Sequence, residues 1–375
     1  MREAALMATA LVVSLATSSM SGTFTFRNGP LGLTFDSSTG VVTRLALGEE
    51  TLAESAGPWP FSFGVGPSPG RVRWAEQLGH ERKLVKRAQP RPDTLELTVR
   101  VGPYEVVDRY RLHADRPRLD RSATLTNRGA EAVKLRGFAF HLHGLRAPAD
   151  GFYRFPGQWP PRSNPFGAMK PGTHRGGRGS IAPAFAQLGP KRCLMWASCT
   201  TDSPSVRITE GEGSFRVSQG VGAAGYLRPN EPQAIGFVTM EVVPKPYWEA
   251  LPHLWAWMDS VGIKVPADRP RWVEEAILYE FHPGGTIGSN WTDLGGFKAA
   301  TEKLLPTIPK LGCTAIWIQP IEYRSPYWPL DYYRFMDGLG TADEYKALVA
   351  KAHELGLKVI QDIVPHGGAP QAVHN

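Results

Sequence analysis

Three acidic residues, Glu280, Glu322 and Asp362, fall near the ends of short apolar runs toward the end of the chain. Carboxylates gathered at strand ends can divide the work of acid and base, and the spacing allows such a set here. The structural reading is stronger, because Glu280 lies inside its run and Glu322 has no partner in the local pattern. His141 and His143 lie i and i+2 on one face of an extended run, a spacing compatible with a metal ion. No third ligand accompanies them, so a hydrogen-bonded histidine pair within β structure is the simpler account. Tyr153, Phe155, Trp159 and Phe166 occur in a stretch rich in Gly, Pro and Arg from 150 to 180. Exposed, they would offer flat faces to a sugar; packed, they would pin down a long loop. Asn290-Trp291-Thr292 is a glycosylation sequon that has meaning only in a eukaryotic secretory pathway. Cys193, Cys199 and Cys313 form no closed framework, and on an extended strand the first two would lie about 20 Å apart, too far to bridge. Free, buried thiols are expected.

These residues sit in two textures of sequence. From 23 to 245, runs of alternating apolar and polar residues recur about every ten residues, separated by turn formers. Thr94–Val101, Arg121–Asn127, Val133–His143 and Ala234–Val243 are examples, and together the runs predict an antiparallel β-sandwich. Residues 246–272 predict a short helix and a Pro-rich linker. From 273 to 375 the pattern alternates strands with helices. Ile277–Phe281, Thr314–Ile321 and Lys358–Pro365 read as strands, apolar on both faces and therefore parallel and covered on both sides. Leu294–Leu311 reads as helical, broken at Pro306 and Pro309 because proline lacks the N–H a helix needs. A loop follows the second strand and ends at Gly340. Thr341 and Glu344 form a capping box, with Tyr345, Leu348, Val349, Ala352 and Leu355 as the apolar stripe and Gly356 as the stop. This βαβαβ order is that of the first three β/α units of a TIM (β/α)8 barrel, yet residues 273–375 are far fewer than the roughly 250 of a closed barrel. Either the domain is an unusually small α/β unit or the chain stops partway through a barrel.

Of the 375 residues, 11 are Trp, 16 Phe and 11 Tyr, apolar surface enough to exclude a disordered chain. Lys plus Arg number 42 against 35 Asp plus Glu, a net charge of +7. The densest basic run, His80–Arg91, lacks interleaved aromatics, so a solvated loop or strand edge is expected rather than a nucleic-acid surface. Residues 1–22 join Arg2 to an uncharged run, Ala4–Ala16, and then small residues, the pattern of a signal peptide cleaved near Ser21. The expectation is a secreted or periplasmic protein with no membrane segment after cleavage.

From Ile277 to Gly367 the chain resembles the opening of the catalytic barrel of the α-amylase family, glycoside hydrolase family 13. The resemblance rests on an ordered series: ILYEF, TIPKLGCTAIWIQPI, the loop with Asp331-Tyr332-Tyr333, Gly340-Thr341 with Asp343-Glu344-Tyr345, and AHELGLKVIQDIVP. It implies that Tyr327 stacks on the sugar at the cleavage site. Asp331 and Asp337 would order their loop, and Asp362, at the C-terminal end of the third strand, would orient neighbouring catalytic groups. The chain departs from the family at Trp328, where an Asp is usual, and at His366-Gly367, where Asn-His is usual. His366 would take over the sugar contact, and the missing Asn counts against a structural calcium, so no cofactor is expected. The substrate-binding set implied is Tyr327, Trp328, Asp362 and His366.

The family cleaves α-linked glucans with two carboxylates about 5 to 5.5 Å apart, a nucleophile and a general acid, carried after the fourth and fifth strands. Those strands are absent, so no catalytic residue is named, and a fragment of an exported glycoside hydrolase or transglycosidase acting on an oligosaccharide or polysaccharide is expected. Two other readings stand beside it. One is an α-galactosidase-like enzyme, since such enzymes also set a large β-sandwich before a barrel; the other is a non-catalytic carbohydrate-binding protein.

Overall fold

The computed structural model describes residues 22–55, 59–66, 73–74, 80–156, 164–166, 173–176, 183–198, 204–211, 213–221, 225–285, 294–324 and 327–364. Residues 1–21, which include the expected signal segment, and Trp159, Cys199, the sequon and His366 lie outside them. The chain divides into two compact units, 1–264 and 265–375.

In the first unit the described strands form an eleven-stranded and a nine-stranded sheet, both built of antiparallel pairs. The runs expected at Thr94–Val101, Val133–His143 and Ala234–Val243 are strands Thr94–Val101, Val133–Arg146 and Pro232–Val243. Their apolar residues alternate inward, so each sheet presents one greasy face. The two faces share one core, in which Phe35 meets Tyr110 edge-on at 5.1 Å and Phe63 meets Tyr104 at 5.2 Å across the sheets. The stretch 150–180 is less loop-like than expected, holding short strands at Phe152–Arg154, Asn164–Pro165 and Thr173–Gly176. Tyr153, Phe155 and Phe166 are buried in the same core, so these aromatics pin the segment and offer no sugar platform. The helix Tyr247–Ser260 lays Tyr247, Ala250, Leu254 and Trp257 on the outer face of the nine-stranded sheet, over Cys193, Met195 and Ala197. Cys193 is a buried free thiol.

The histidine pair is satisfied within this unit. The two ring nitrogens of His141 each lie 2.9 Å from a serine hydroxyl, Ser62 and Ser218, and His143 Nε2 donates to the Trp59 carbonyl at 2.9 Å. Burial, then the charges of His143 and neighbouring arginines, hold His141 well below the usual histidine range, so it stays neutral. Among the described residues no group of His, Cys, Asp or Glu is placed to hold a metal ion.

The second unit has a three-stranded parallel sheet in the order Leu278–Phe281, Ala315–Ile318, Lys358–Gln361. The segment expected to be a broken helix is an α-turn at Gly296–Ala299, a π-turn to Leu304 and a 3-10 helix to Leu311. Pro306 and Pro309 donate no N–H, and the ladder changes pitch around them. Helix Ala342–Glu354 begins as expected: the Glu344 N–H donates to Thr341 Oγ1 at 3.2 Å and the Thr341 N–H to Glu344 Oε2 at 2.8 Å. It ends in a Schellman motif, with Gly356 at φ 77°, its N–H donating to the His353 carbonyl and that of Leu357 to Ala352.

One expectation fails. The strands are expected to be covered on both faces; among the described residues one face is covered. Tyr279, Phe281, Ile316, Ile318 and Val359 pack under the helices, whereas on the opposite face Leu278 is 45% and Trp317 36% exposed. An apolar run reports that a residue can be buried; whether it is depends on what the fold lays over it.

Candidate substrate-binding site

The C-terminal ends of the parallel strands bring the chemistry together. Backbone pairing continues past the strands: Gln319 N–H donates to the Phe281 carbonyl at 3.0 Å and Asp362 N–H to the Ile318 carbonyl at 2.9 Å. Because side chains alternate, Glu280, Gln319 and Asp362 share the uncovered face at its C-terminal rim. Gln319 Nε2 donates to Glu280 Oε1 at 2.8 Å, which fixes that carboxylate. On the covered side Tyr345 donates to Gln361 Oε1 at 2.7 Å, and Gln361 Nε2 donates to the Asp362 carbonyl at 2.8 Å, holding the turn that carries Asp362.

The loop after the second strand folds as a small hairpin, Glu322–Tyr323 against Asp331–Phe335. Asp331 Oδ1 accepts from the Tyr333 N–H at 2.8 Å, and Asp337 Oδ1 accepts from Arg334 at 2.7 Å, while the Arg334 guanidinium lies 3.6 Å over the Tyr323 ring. Both aspartates therefore order the loop. Arg324 sits at φ 86°, a left-handed conformation that a side chain resists and a functional loop often retains. Tyr327 and Trp328 follow it, 44% and 59% exposed. Burial, then the negative charges of Asp362 and Glu280, push the Tyr327 hydroxyl above its usual range.

Glu322, at the start of the same hairpin, is buried, and its Oε2 has no hydrogen-bond partner among the described residues. Burial and then the charge of Asp362 raise its carboxyl above the usual range, against the opposing backbone amides of Glu322 and Ile321. Burial, followed by the charge of Glu322, likewise raises Tyr345. His282, just after the first strand, is buried and lowered to about 4 by burial, against a raising contact from Pro320. A buried carboxyl biased toward its neutral form beside a second carboxylate can donate a proton or a hydrogen bond. Sequence reading named Tyr327, Trp328 and Asp362 but set Glu322 aside. The only signal for it was an acidic residue directly after a buried strand, at the edge where parallel sheets build sites.

Residues 280–372 match the family model described as Alpha amylase, catalytic domain. Maltase 1 of Drosophila virilis is 36% identical over 104 residues, 26% of this chain and 16% of that protein. The oligo-1,6-glucosidase of Parageobacillus thermoglucosidasius is 31% identical over 98 residues, 25% of this chain and 17% of that protein. The chain thus spans less than a fifth of the length of these curated relatives. Among solved structures, the GH36 α-galactosidase AgaB of Geobacillus stearothermophilus aligns with 97% of this chain and 58% of its own, at a TM-score of 0.54 and 13% identity. The galactosidase domain of the α-galactosidase-sucrose kinase AgaSK aligns with 91% of this chain at a TM-score of 0.51 and 11% identity. At such identities these two share its fold alone. Residues 280–372 are thus the part of the chain that is similar to an α-amylase catalytic domain.

Proposed function

We propose that the second unit is the substrate-binding portion of a retaining α-glucan glycosidase or transglycosidase, built on the first three β/α units of a TIM (β/α)8 barrel. The observation that carries this reading is the placing of Glu280 and Asp362 on one face at the C-terminal rim of the parallel strands, with Tyr327 and Trp328 exposed in the loop that follows the second strand, within the segment that matches the α-amylase catalytic domain. Tyr327 lays its ring against the C–H face of a pyranose, Trp328 extends that surface, and Asp362 accepts from sugar hydroxyls and orients its neighbours. His366 adds a sugar contact. The nucleophile and general acid belong, by the resemblance, to later strands. Domain boundaries near 245 and 272 separate a β-sandwich from this barrel portion, and residues 1–22 direct export to a secreted or periplasmic location. The substrate is an oligosaccharide or polysaccharide; no nucleic acid, membrane or cofactor has a part.

Titrating the chain with malto-oligosaccharides while following tryptophan fluorescence tests the reading. Saturable quenching that weakens sharply in Tyr327→Ala is expected; an unchanged titration in that variant overturns it. An α-galactoside run in parallel addresses the galactosidase alternative, which predicts quenching by that sugar instead.

A further inference from the structure

A second cleft lies entirely within the two-sheet unit, on the outer face of the nine-stranded sheet beside the C-terminal end of helix Tyr247–Ser260. It measures about 400 Å³, within the range of small-ligand sites. Strand alternation puts Arg109, Arg111 and Ser122 on this outer face, with Phe237 and Val261 supplying apolar wall.

Four arginines line it; Arg109, Arg111 and Arg118 are held the same way, while Arg121 turns inward to Asp108. Arg109 Nε donates to Glu96 at 2.8 Å, Arg111 Nε to Asp93 at 2.9 Å and Arg118 Nε to Asp120 at 2.9 Å. A carboxylate grips each guanidinium by its inner nitrogen, and among the described residues no hydrogen-bond acceptor is seated on the terminal nitrogens. Asp120 is itself clamped, accepting also from Thr239 Oγ1 at 2.6 Å and bonded to His113 Nε2 at 2.7 Å. The Trp257 indole donates to Thr239 Oγ1 at 2.8 Å, which ties the helix to the same network. Burial alone would raise the Asp120 carboxyl, but the bond from His113, the charge of Arg118 and the Thr239 hydroxyl hold it below the usual range. It is a fixed anion.

From this geometry we infer that the cleft is a binding site for a neutral saccharide, separate from the rim of the parallel strands. Three positive charges are each cancelled by a partner, so the cleft offers an array of oriented N–H donors with no net attraction for an anion. Hydroxyl groups are the acceptors that suit such an array, and Phe237 provides an apolar face for the C–H side of a pyranose. A bare anion would approach guanidinium groups whose charge is already offset by carboxylates on their inner nitrogens, which weakens its attraction.

The test uses the full-length chain carrying Tyr327→Ala, so that the site proposed above is disabled. Maltotriose, melibiose and cellotriose are titrated against tryptophan fluorescence, in which Trp257 reports on the network. At least one sugar is expected to give a saturable change, weakened about tenfold when Arg111→Gln removes one donor pair. Arg109→Gln serves as a second, independently folded variant, with the melting temperature confirming that each remains native. Excess sulfate is expected to leave the curves unchanged. No saturable binding of any of the three sugars in Tyr327→Ala overturns the inference, as does displacement by sulfate, which would mark an anion site. If wild type binds and Tyr327→Ala does not, the site at the parallel strands stands and this one falls; if the two bind alike and Arg111→Gln loses binding, the reverse holds.

Discussion

Two buried carboxylates, one in each unit, have opposite surroundings. Asp108, between the sheets, takes both ends of the Arg121 guanidinium at 3.0 and 2.6 Å and the Tyr110 hydroxyl at 2.8 Å. Arg121 then donates to the His141 carbonyl at 3.1 Å and lies under the Tyr110 and Phe140 rings at 4.7 and 4.9 Å. Glu322 has an oxygen with no partner among the described residues, and the charge of Asp362 acts on it. The first arrangement closes on itself and has no capacity left for a ligand. The second keeps an acceptor that no described residue uses. Saturated buried polar groups mark structure, and unsaturated ones mark places where something else is meant to bind.

The same contrast runs through the sheets. The two large sheets cover each other, whereas the parallel sheet presents Leu278 and Trp317 to solvent on the face that carries Glu280 and Asp362. In the second unit the residues assigned to substrate therefore sit where burial is incomplete.

The sharpest way to break the comparison is Asp108→Ala. Stranding Arg121 without its counter-charge should cost about 3–5 kcal/mol, read as an early unfolding transition of the two-sheet unit in denaturant. A loss below about 1 kcal/mol would show that the pair is no closed structural unit.

Acidification comes next. His282 takes up its proton near pH 4 when folded and near 6.5 when unfolded, so its contribution is intact above 6.5 and is lost as pH falls from 6.5 toward 4. The loss should be on the order of 2 kcal/mol after allowance for solvent screening, and His282→Asn should flatten that slope in thermal melts. Glu322 acts in the opposite sense. Its raised carboxyl is strained while ionised and relieved as pH falls through its folded value.

Glu322→Gln should accordingly stabilise the second unit at pH 7 by about 1 kcal/mol, visible as a higher melting temperature that fades toward acid. A destabilised variant would mean that the charge is already compensated. The smallest effect belongs to the local signal: Thr341→Ala removes the cap and should cost about 1 kcal/mol with little change in saccharide binding, checked by the two titrations above.

How much was legible in the sequence follows from the distance over which each feature is determined. The capping box at Thr341 and Glu344, the stop at Gly356 and the disturbed helix around Pro306 and Pro309 are set by neighbours within a turn, and they stand as read. The ordered motif from ILYEF to KVIQDIVP was legible as well, because each strand and its following turn keep a fixed spacing. The donor-lined cleft was not. Arg118 and Asp120 are close in sequence, but Thr239 lies 119 residues beyond Asp120 and reaches it only by strand pairing. Glu322 was underweighted for the same reason, since neither its burial nor its nearness to Asp362, on the next parallel strand, is a local property.

The amino-acid sequence by itself determined the two textures of the chain, alternation of period two and then strands interleaved with helices, along with the caps and breaks that bound its elements. Propensity, patterning and backbone chemistry act over a few residues, and these need no knowledge of what packs against what. Only the tertiary structure decided which face of the parallel sheet is covered, which carboxylate is matched and which is left wanting, and where arginines from neighbouring strands line one cleft. Those depend on register and on long-range contact, because desolvation and hydrogen-bond saturation are properties of a place in the fold and not of a residue type.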